Sequence, residues 1–341
     1  MSDPVAPSLE ALLARHGLAD AVERPLAHDG WSGAAITSLE AADGSRYVVK
    51  RDSPARDWIA RATADATLRE GQLVARRPSL GWILPHLGVA HDGPDGIALL
   101  MPDLTGQLFR WERPIDGVAL ARVIAALAQL HAAGATGPPA ALDDVPWCPV
   151  RERLLLLSRP AAEGYARAGD AVGTRFLAGW DAFERVAAGV APAAIDLVDR
   201  LSADPSPLLA ALAGRPSTVL HGDLKLGNLG FDRAGRPLAI DWQMVMLAPR
   251  AVDLGWFLVS NTTDLPAPPA EVIVHYAGAA GWSAADRAAE GDLAVLVGLL
   301  LRGWRKGLDA EASVVHASGV TALDDLTWWC REAVAAADRR L

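Results

Sequence analysis

Residues 218–231 read TVLHGDLKLGNLGF, a polar, glycine-broken loop set between apolar runs. Glycine, Asn and Asp favour turns, whereas Val219, Leu220, Leu229 and Phe231 need burial. A loop anchored by buried segments at both ends is held rigidly, and such loops carry function. A short DRAGR turn then separates LGF from PLAID, so a hairpin is expected there. That hairpin would carry Asp241 back toward the loop bearing Asp223 and Asn228. Three oxygen-bearing side chains would then converge on one spot.

Asp and Asn oxygens suit Mg²⁺, a hard cation that takes one or two protein ligands and completes its octahedron with phosphate and water. A further carboxylate beside the metal can accept a proton from an attacking hydroxyl. Phosphoryl transfer needs these parts: metal to neutralise the phosphates and a group that positions the nucleophile.

The rest of the chain has two textures. Up to residue 104 it reads as strands with one helix. AAITSLEA and SRYVVKR flank Asp43-Gly44 as a hairpin, residues 57–76 have helical spacing, and WILPHLGVAHD and GIALLMPDL read as two further strands. Beyond residue 105 helices dominate. Leu120, Val123, Ile124, Leu127 and Leu130 share one face. A Pro/Gly-rich connection follows at 132–149, then helical segments near 150–168, 171–189 and 192–202. The run LAVLVGLLL at 293–301 is too short to span a membrane and is expected to be a buried helix.

With 341 residues and 51% hydrophobic content, the chain can bury the cores of two lobes. A net charge of −9 argues against nucleic acid and anionic membranes as partners. Cys148 and Cys330 share no metal-ligand spacing, and the N-terminus lacks a basic start followed by an apolar run. Reduced thiols in a cytoplasmic protein are therefore expected.

HGDLKLGN followed by IDW resembles the aminoglycoside phosphotransferase and choline kinase-like family, whose fold is that of the protein kinases. The resemblance follows the chain in order and is most specific over 219–256. Gly222 and Trp242 stand where protein kinases carry the Arg of H-R-D and the Phe of D-F-G, and no A-P-E segment follows. These departures favour a small-molecule substrate. The resemblance implies an α+β, protein-kinase-like fold with a nucleotide-binding N-terminal lobe over 1–104 and a catalytic, substrate-binding lobe over 105–341. It implies Asp223 as catalytic base and Asn228 and Asp241 as metal ligands; Lys225, a departure from many small-molecule members, matches a Lys that many protein kinases carry two residues after the base and would steady the transferring phosphoryl. Asp253 is expected to brace the catalytic loop. Lys50 would bind the nucleotide phosphates and Glu70 would pair with it. Gly30, Ser32 and Gly33 would cover the phosphates, and Met101, Asp103 and Leu104 would line the adenine through backbone groups.

The implied activity is ATP- and Mg²⁺-dependent phosphorylation of a small-molecule hydroxyl, with GTP left open as the nucleotide. Aminoglycosides, choline-like alcohols, amino sugars, macrolides and other hydroxylated metabolites are the candidate acceptors. Twelve Trp residues suit either a cationic acceptor or the filling of cores, and Trp304, Trp328 and Trp329 fall where the family builds its acceptor pocket. The alternative is a catalytically inactive kinase fold acting as a binding or scaffold module. A pure scaffold would need none of Lys50, Asp223, Asn228 and Asp241.

Overall fold

The chain begins with α1 (Leu9–Arg15), β1 (Val22–Pro25), β2 (Ala35–Glu40), β3 (Arg46–Asp52), α2 (Trp58–Ala62), α3 (Arg69–Arg76), β4 (Gly88–His91) and β5 (Ile97–Pro102). It continues through α4 (Gly117–Ala133), α5 (Val150–Leu155), α6 (Arg159–Arg167), α7 (Ala171–Val190), α8 (Ala193–Ala203) and α9 (Ser206–Ala213). Four short strands follow: β6 (Ser217–Leu220), β7 (Leu229–Phe231), β8 (Pro237–Ala239) and β9 (Met246–Pro249). The chain ends in α10 (Arg250–Asn261), α11 (Pro269–Ala279), α12 (Ala284–Glu311) and α13 (Ala322–Arg340). This computed structural model describes residues 5–26, 30–110, 113–135, 137 and 139–341. Parts of the N-terminal stretch and of the connection at 132–149 thus lie outside the described residues.

Two units result. One comprises residues 1–109, 138–148 and 227–245, the other 110–137, 149–226 and 246–341. The first is built on an antiparallel sheet ordered β1-β2-β3-β5-β4. Asp43-Gly44 closes the β2–β3 hairpin as expected, with Glu40 opposite Arg46 and the Asp43 carboxylate accepting from Ser45 N–H at 2.8 Å. Alternation along the strands separates two faces. Leu39, Val49, Ala90, Ala98 and Leu100 pack with Leu12 of α1. On the other face Val89 and Leu99 pack with Val74 and Ala75 of α3. Lys50, opposite Leu99 in the register, therefore faces the α3 side. β7 and β8 form the expected hairpin in this unit, with Leu229 opposite Ala239.

Residues 57–76 form two helices rather than one. Thr63 donates its hydroxyl to Ile59 C=O at 2.8 Å, Ala64 turns left-handed at φ +52°, and the Asp65 carboxylate caps Arg69 N–H. The second unit is helical around α12, which packs against α7, α10 and α13. Its apolar run is buried as expected, including Leu296, Val297, Leu300 and Leu301. Burying each such side chain favours folding by about 1.5–3 kcal/mol. The segment 150–168 is likewise two helices, because Ser158 caps α6 and Pro160 occupies its first turn. β6 pairs with β9, so the two apolar runs flanking the polar loop join different partners.

Asp52 ends β3, and Asp57 caps α2 by accepting from Ile59 and Ala60 N–H at 2.7 and 3.1 Å. Burial, then repulsion from Asp57, pushes the Asp52 carboxyl up to about 8, and burial raises Asp57 as well. The pair shares a proton through a hydrogen bond between the two side chains. Asp52 binds its proton more tightly folded than unfolded. Its contribution to stability is therefore complete at acid pH and is lost as pH rises through about 8. Asp52→Asn keeps a permanent donor. Urea unfolding should show wild-type stability declining more steeply than the variant's between about pH 5 and 8.

Candidate active site

In the sheet unit the site is organised by charge. Lys50 is 7% exposed, and its Nζ lies 2.7 Å from Glu70 Oε2 and 2.7 Å from Asp241 Oδ1. Burial alone would push the ammonium down, but attraction to Asp241 and Glu70 outweighs it and holds Lys50 well above the usual lysine value. Glu70, in the first turn of α3, uses its other oxygen to accept Trp242 N–H at 3.0 Å. One carboxylate therefore fixes both the lysine and the peptide that follows Asp241.

Asp241 stands at φ +64°, a left-handed conformation that Asp tolerates better than most residues. Asn228 precedes β7, and its carbonyl accepts Ile240 N–H at 3.0 Å, so the backbones of the two predicted metal ligands meet. A carboxylate and an amide oxygen on adjacent backbone, one of them partly exposed, are a donor set that fits Mg²⁺. Among the described residues no group of three or more His, Cys, Asp or Glu could form an all-protein metal cage.

His86 went unread in the sequence. It is buried, its Nε2 lies 3.8 Å from Glu70 Oε1, and neither ring nitrogen has a hydrogen-bond partner among the described residues. Burial lowers it to about 4, so it is neutral at physiological pH and adds no second cation beside Lys50.

The remaining predicted nucleotide residues also lie in this unit. Trp58 donates its backbone N–H to Ser32 C=O at 3.2 Å and its indole N–H to Trp31 C=O at 2.7 Å, tying the Gly30–Gly33 loop to α2. Ser32 Oγ accepts from Ala34 N–H. Gly33 has φ +97°, and a Cβ there would stand 2.5 Å from Arg56 C=O, so its own chain requires glycine. Met101 is buried in β5 opposite Val48. The Asp103 carboxylate closes a turn on Thr105, and its N–H donates to Arg46 C=O at 2.9 Å. Leu104 is buried.

The helical unit holds Asp223, and there the backbone is the organiser. Asp253, in the first turn of α10, accepts His221 N–H at 2.9 Å and Gly222 N–H at 2.8 Å, which is the bracing geometry expected of it. At the other end of α10, Asn261 accepts Leu226 N–H at 2.8 Å and donates to Leu224 C=O at 2.9 Å. Gly222 adopts φ +82°, which accounts for glycine where the protein-kinase pattern has Arg. Asp223 N–H donates to His221 Nδ1 at 3.2 Å, a structural use of that ring. Lys225 Nζ lies 2.9 Å from Asp223 Oδ2.

A buried guanidinium cluster supports the loop. Arg153 Nε donates to Gly222 C=O at 3.0 Å, and its guanidinium lies 4.2 Å over the Trp256 ring. Arg302, where α12 departs from helical geometry, lies 5.5 Å over the same ring; burial, then Arg305, lowers it to about 10, still charged at neutral pH. Arg153 and Asn261 had no signal in the sequence. Trp304 and Trp329 are 1% and 0% exposed, so they are core side chains that present no open face to an acceptor. Trp328 is half-buried.

Asp253→Ala would leave two buried N–H groups without an acceptor and remove the partner of His131 Nε2 at 3.3 Å. At about 1–3 kcal/mol for each orphaned group, the loss should reach several kcal/mol in urea unfolding, with Asp253→Asn losing less.

A family model described as phosphotransferase enzyme family, APH, matches residues 24–288. A search of curated proteins finds no match. Among solved structures, amicoumacin kinase hAmiN in complex with AMP-PNP, Ca²⁺ and Ami aligns at TM-score 0.51 and 13% identity, covering 93% of this chain and 88% of that one. Macrolide 2′-phosphotransferase MphH from Brachybacterium faecium aligns at TM-score 0.46 and 23% identity, covering 96% and 98%. An aminoglycoside phosphotransferase from Alicyclobacillus acidocaldarius aligns at TM-score 0.41 and 20% identity, covering 93% and 91%. The fold is the protein-kinase-like one expected, with a β-rich unit and a helical unit. With the family match running over most of its length, the chain belongs to the APH phosphotransferase enzyme family, enzymes that phosphorylate small molecules.

Proposed function

We propose that this phosphotransferase moves the terminal phosphoryl group of ATP to a hydroxyl of a small molecule, with Mg²⁺ as its metal. The observation that carries the reading is Lys50, buried and charged between Glu70 and Asp241 at 2.7 Å from each. A buried ammonium held by two acids is costly as mere scaffolding and suits a phosphate-binding role. Glu70 orients Lys50 for the α/β-phosphates, and the Gly30–Gly33 loop with Ser32 covers them. Pro102 has no N–H and that of Asp103 serves Arg46, so Leu104 N–H is left to meet the adenine edge beside Met101. Asn228 and Asp241 would hold Mg²⁺, whose contribution when bound is to neutralise the phosphate charge.

Asp223 orients the acceptor hydroxyl and receives its proton as the oxygen–phosphorus bond forms. Lys225 beside it steadies the phosphoryl group in flight. Catalysis of this kind is mainly positioning and charge neutralisation. The acceptor is a hydroxylated small molecule of the aminoglycoside, choline-like or amino-sugar type. The core placement of Trp304 and Trp329 weighs against a Trp cage as the means of recognition. The compartment proposed is the cytoplasm, where the two buried cysteines, Cys148 and Cys330, would stay reduced. Among the described residues no helix is long and apolar enough to cross a membrane.

A thermal-shift screen of candidate acceptors with Mg²⁺ and AMP-PNP would identify the acceptor by mass action. With it in hand, Asp223→Asn should reduce turnover by at least about a thousandfold while leaving AMP-PNP binding intact. Full activity in that variant removes Asp223 from the mechanism. Nucleotide binding by the wild type without transfer to any acceptor favours the inactive-module alternative.

A further inference from the structure

Arg69 precedes Glu70 on α3, is 1% exposed, and makes several side-chain hydrogen bonds. Its Nε donates to Pro146 C=O at 2.9 Å. Its Nη1 donates to Thr63 Oγ1 at 3.0 Å and to Gln243 C=O at 2.9 Å, and its Nη2 donates to Thr63 C=O at 3.1 Å. Asp65 balances the charge, with a carboxylate oxygen 3.6 Å from Nη1 and both oxygens on Arg69 N–H. The guanidinium fork thus has defined partners in the α2–α3 turn, in the 138–148 segment and just beyond Asp241.

The last of these contacts has consequences for Asp241. Its φ of +64° costs free energy for a residue with a side chain, so neighbouring contacts must enforce it. Glu70 takes Trp242 N–H and Arg69 takes Gln243 C=O, so consecutive residues of one helical turn grip consecutive residues after Asp241. Lysine could not reproduce this, because it lacks the planar fork that serves several carbonyls at once.

We infer that Arg69 is a positioning residue that fixes the backbone of Asp241 in its metal-holding conformation, and so sets the affinity of the enzyme–nucleotide complex for its divalent cation. The inference rests on the reading of Asp241 as a metal ligand. Loss of a residue that orients a ligand typically weakens metal binding 10- to 100-fold.

The test is Mn²⁺ binding to the AMP-PNP complex, followed by electron paramagnetic resonance, in wild type and Arg69→Lys. Arg69→Lys should bind Mn²⁺ at least about tenfold more weakly, while metal-free AMP-PNP binding changes little. Thr63→Val loosens the far end of the fork without touching residues 241–243, and should give a smaller shift in the same direction. If Arg69→Lys fails to fold, Thr63→Val decides. Wild-type Mn²⁺ affinity in the folded variants, with or without a loss of melting temperature, makes Arg69 a structural residue only and overturns the inference. Wild-type protein that binds no AMP-PNP refutes the nucleotide reading instead, and takes this inference down with it.

Discussion

The buried ammonium of Lys50 is the point on which the sheet unit turns. Removing such a charge from water costs several kcal/mol, and only close carboxylates make it tolerable. Glu70 and Asp241 supply them from positions 20 and 191 residues away in the chain. A strand, a helix and the end of a hairpin must therefore be in place before the charge is satisfied. The sum is also informative. Two acids face one base, and His86 is kept neutral by burial, so this cluster carries one negative charge over. A bound cation would offset that excess.

Asp223 is positioned on a different principle. Its loop is held through backbone N–H and C=O groups, with a single helix as the template. Asp253 and Asn261 sit at opposite ends of α10, a separation of about 12 Å at the α-helical rise, and each takes one end of the loop. Asp253 is itself oriented by His131, whose other ring nitrogen lies 2.6 Å from Tyr276 Oη. Rigid helices thereby pass their precision to a loop that carries one short 3-10 turn, Leu226–Asn228, which is how a loop can hold a side chain steadily.

The elements legible in the sequence share a reason. HGDLKLGN, PLAID, the Asp43-Gly44 hairpin and the buried run at 293–301 are each coded locally, by turn formers or apolar periodicity. Lys50 and Glu70 were found by their places in a resemblance, and the structure brings them together. The break in the helix expected over 57–76 was not legible, because Ala64 and Leu68 take left-handed conformations that no local residue preference announces. The break before α6 was legible in principle, since Ser158 and Pro160 form a helix start. Arg69, Arg153 and Asn261 look like ordinary helical residues; their distant partners lie 35 to 174 residues away, and spacing within an element carries no record of such contacts. The Trp residues were ambiguous for a related reason: an indole fills a core as readily as it faces a cation, and only packing tells the two apart.

The stretch after Asp241 is held by burial and hydrogen bonds together. Trp242, Gln243, Met244 and Val245 are all buried, at 0, 7, 4 and 0% exposure. Trp242 donates its indole N–H to Ala239 C=O at 3.0 Å, Val245 N–H returns to Trp242 C=O, and Val245 C=O accepts Cys148 N–H. Releasing this segment would expose large apolar side chains and break the contacts to Glu70 and Arg69 together. A phosphorylation switch works by ordering or freeing a segment whose two states differ by a few kcal/mol. Here one state is favoured by packing, hydrogen bonds and charge at once. Trp242 in place of the D-F-G phenylalanine strengthens that bias, since its larger ring fills the core and its indole N–H has a carbonyl to meet. The left-handed conformation of Asp241 is therefore set at folding, together with the segment that follows it.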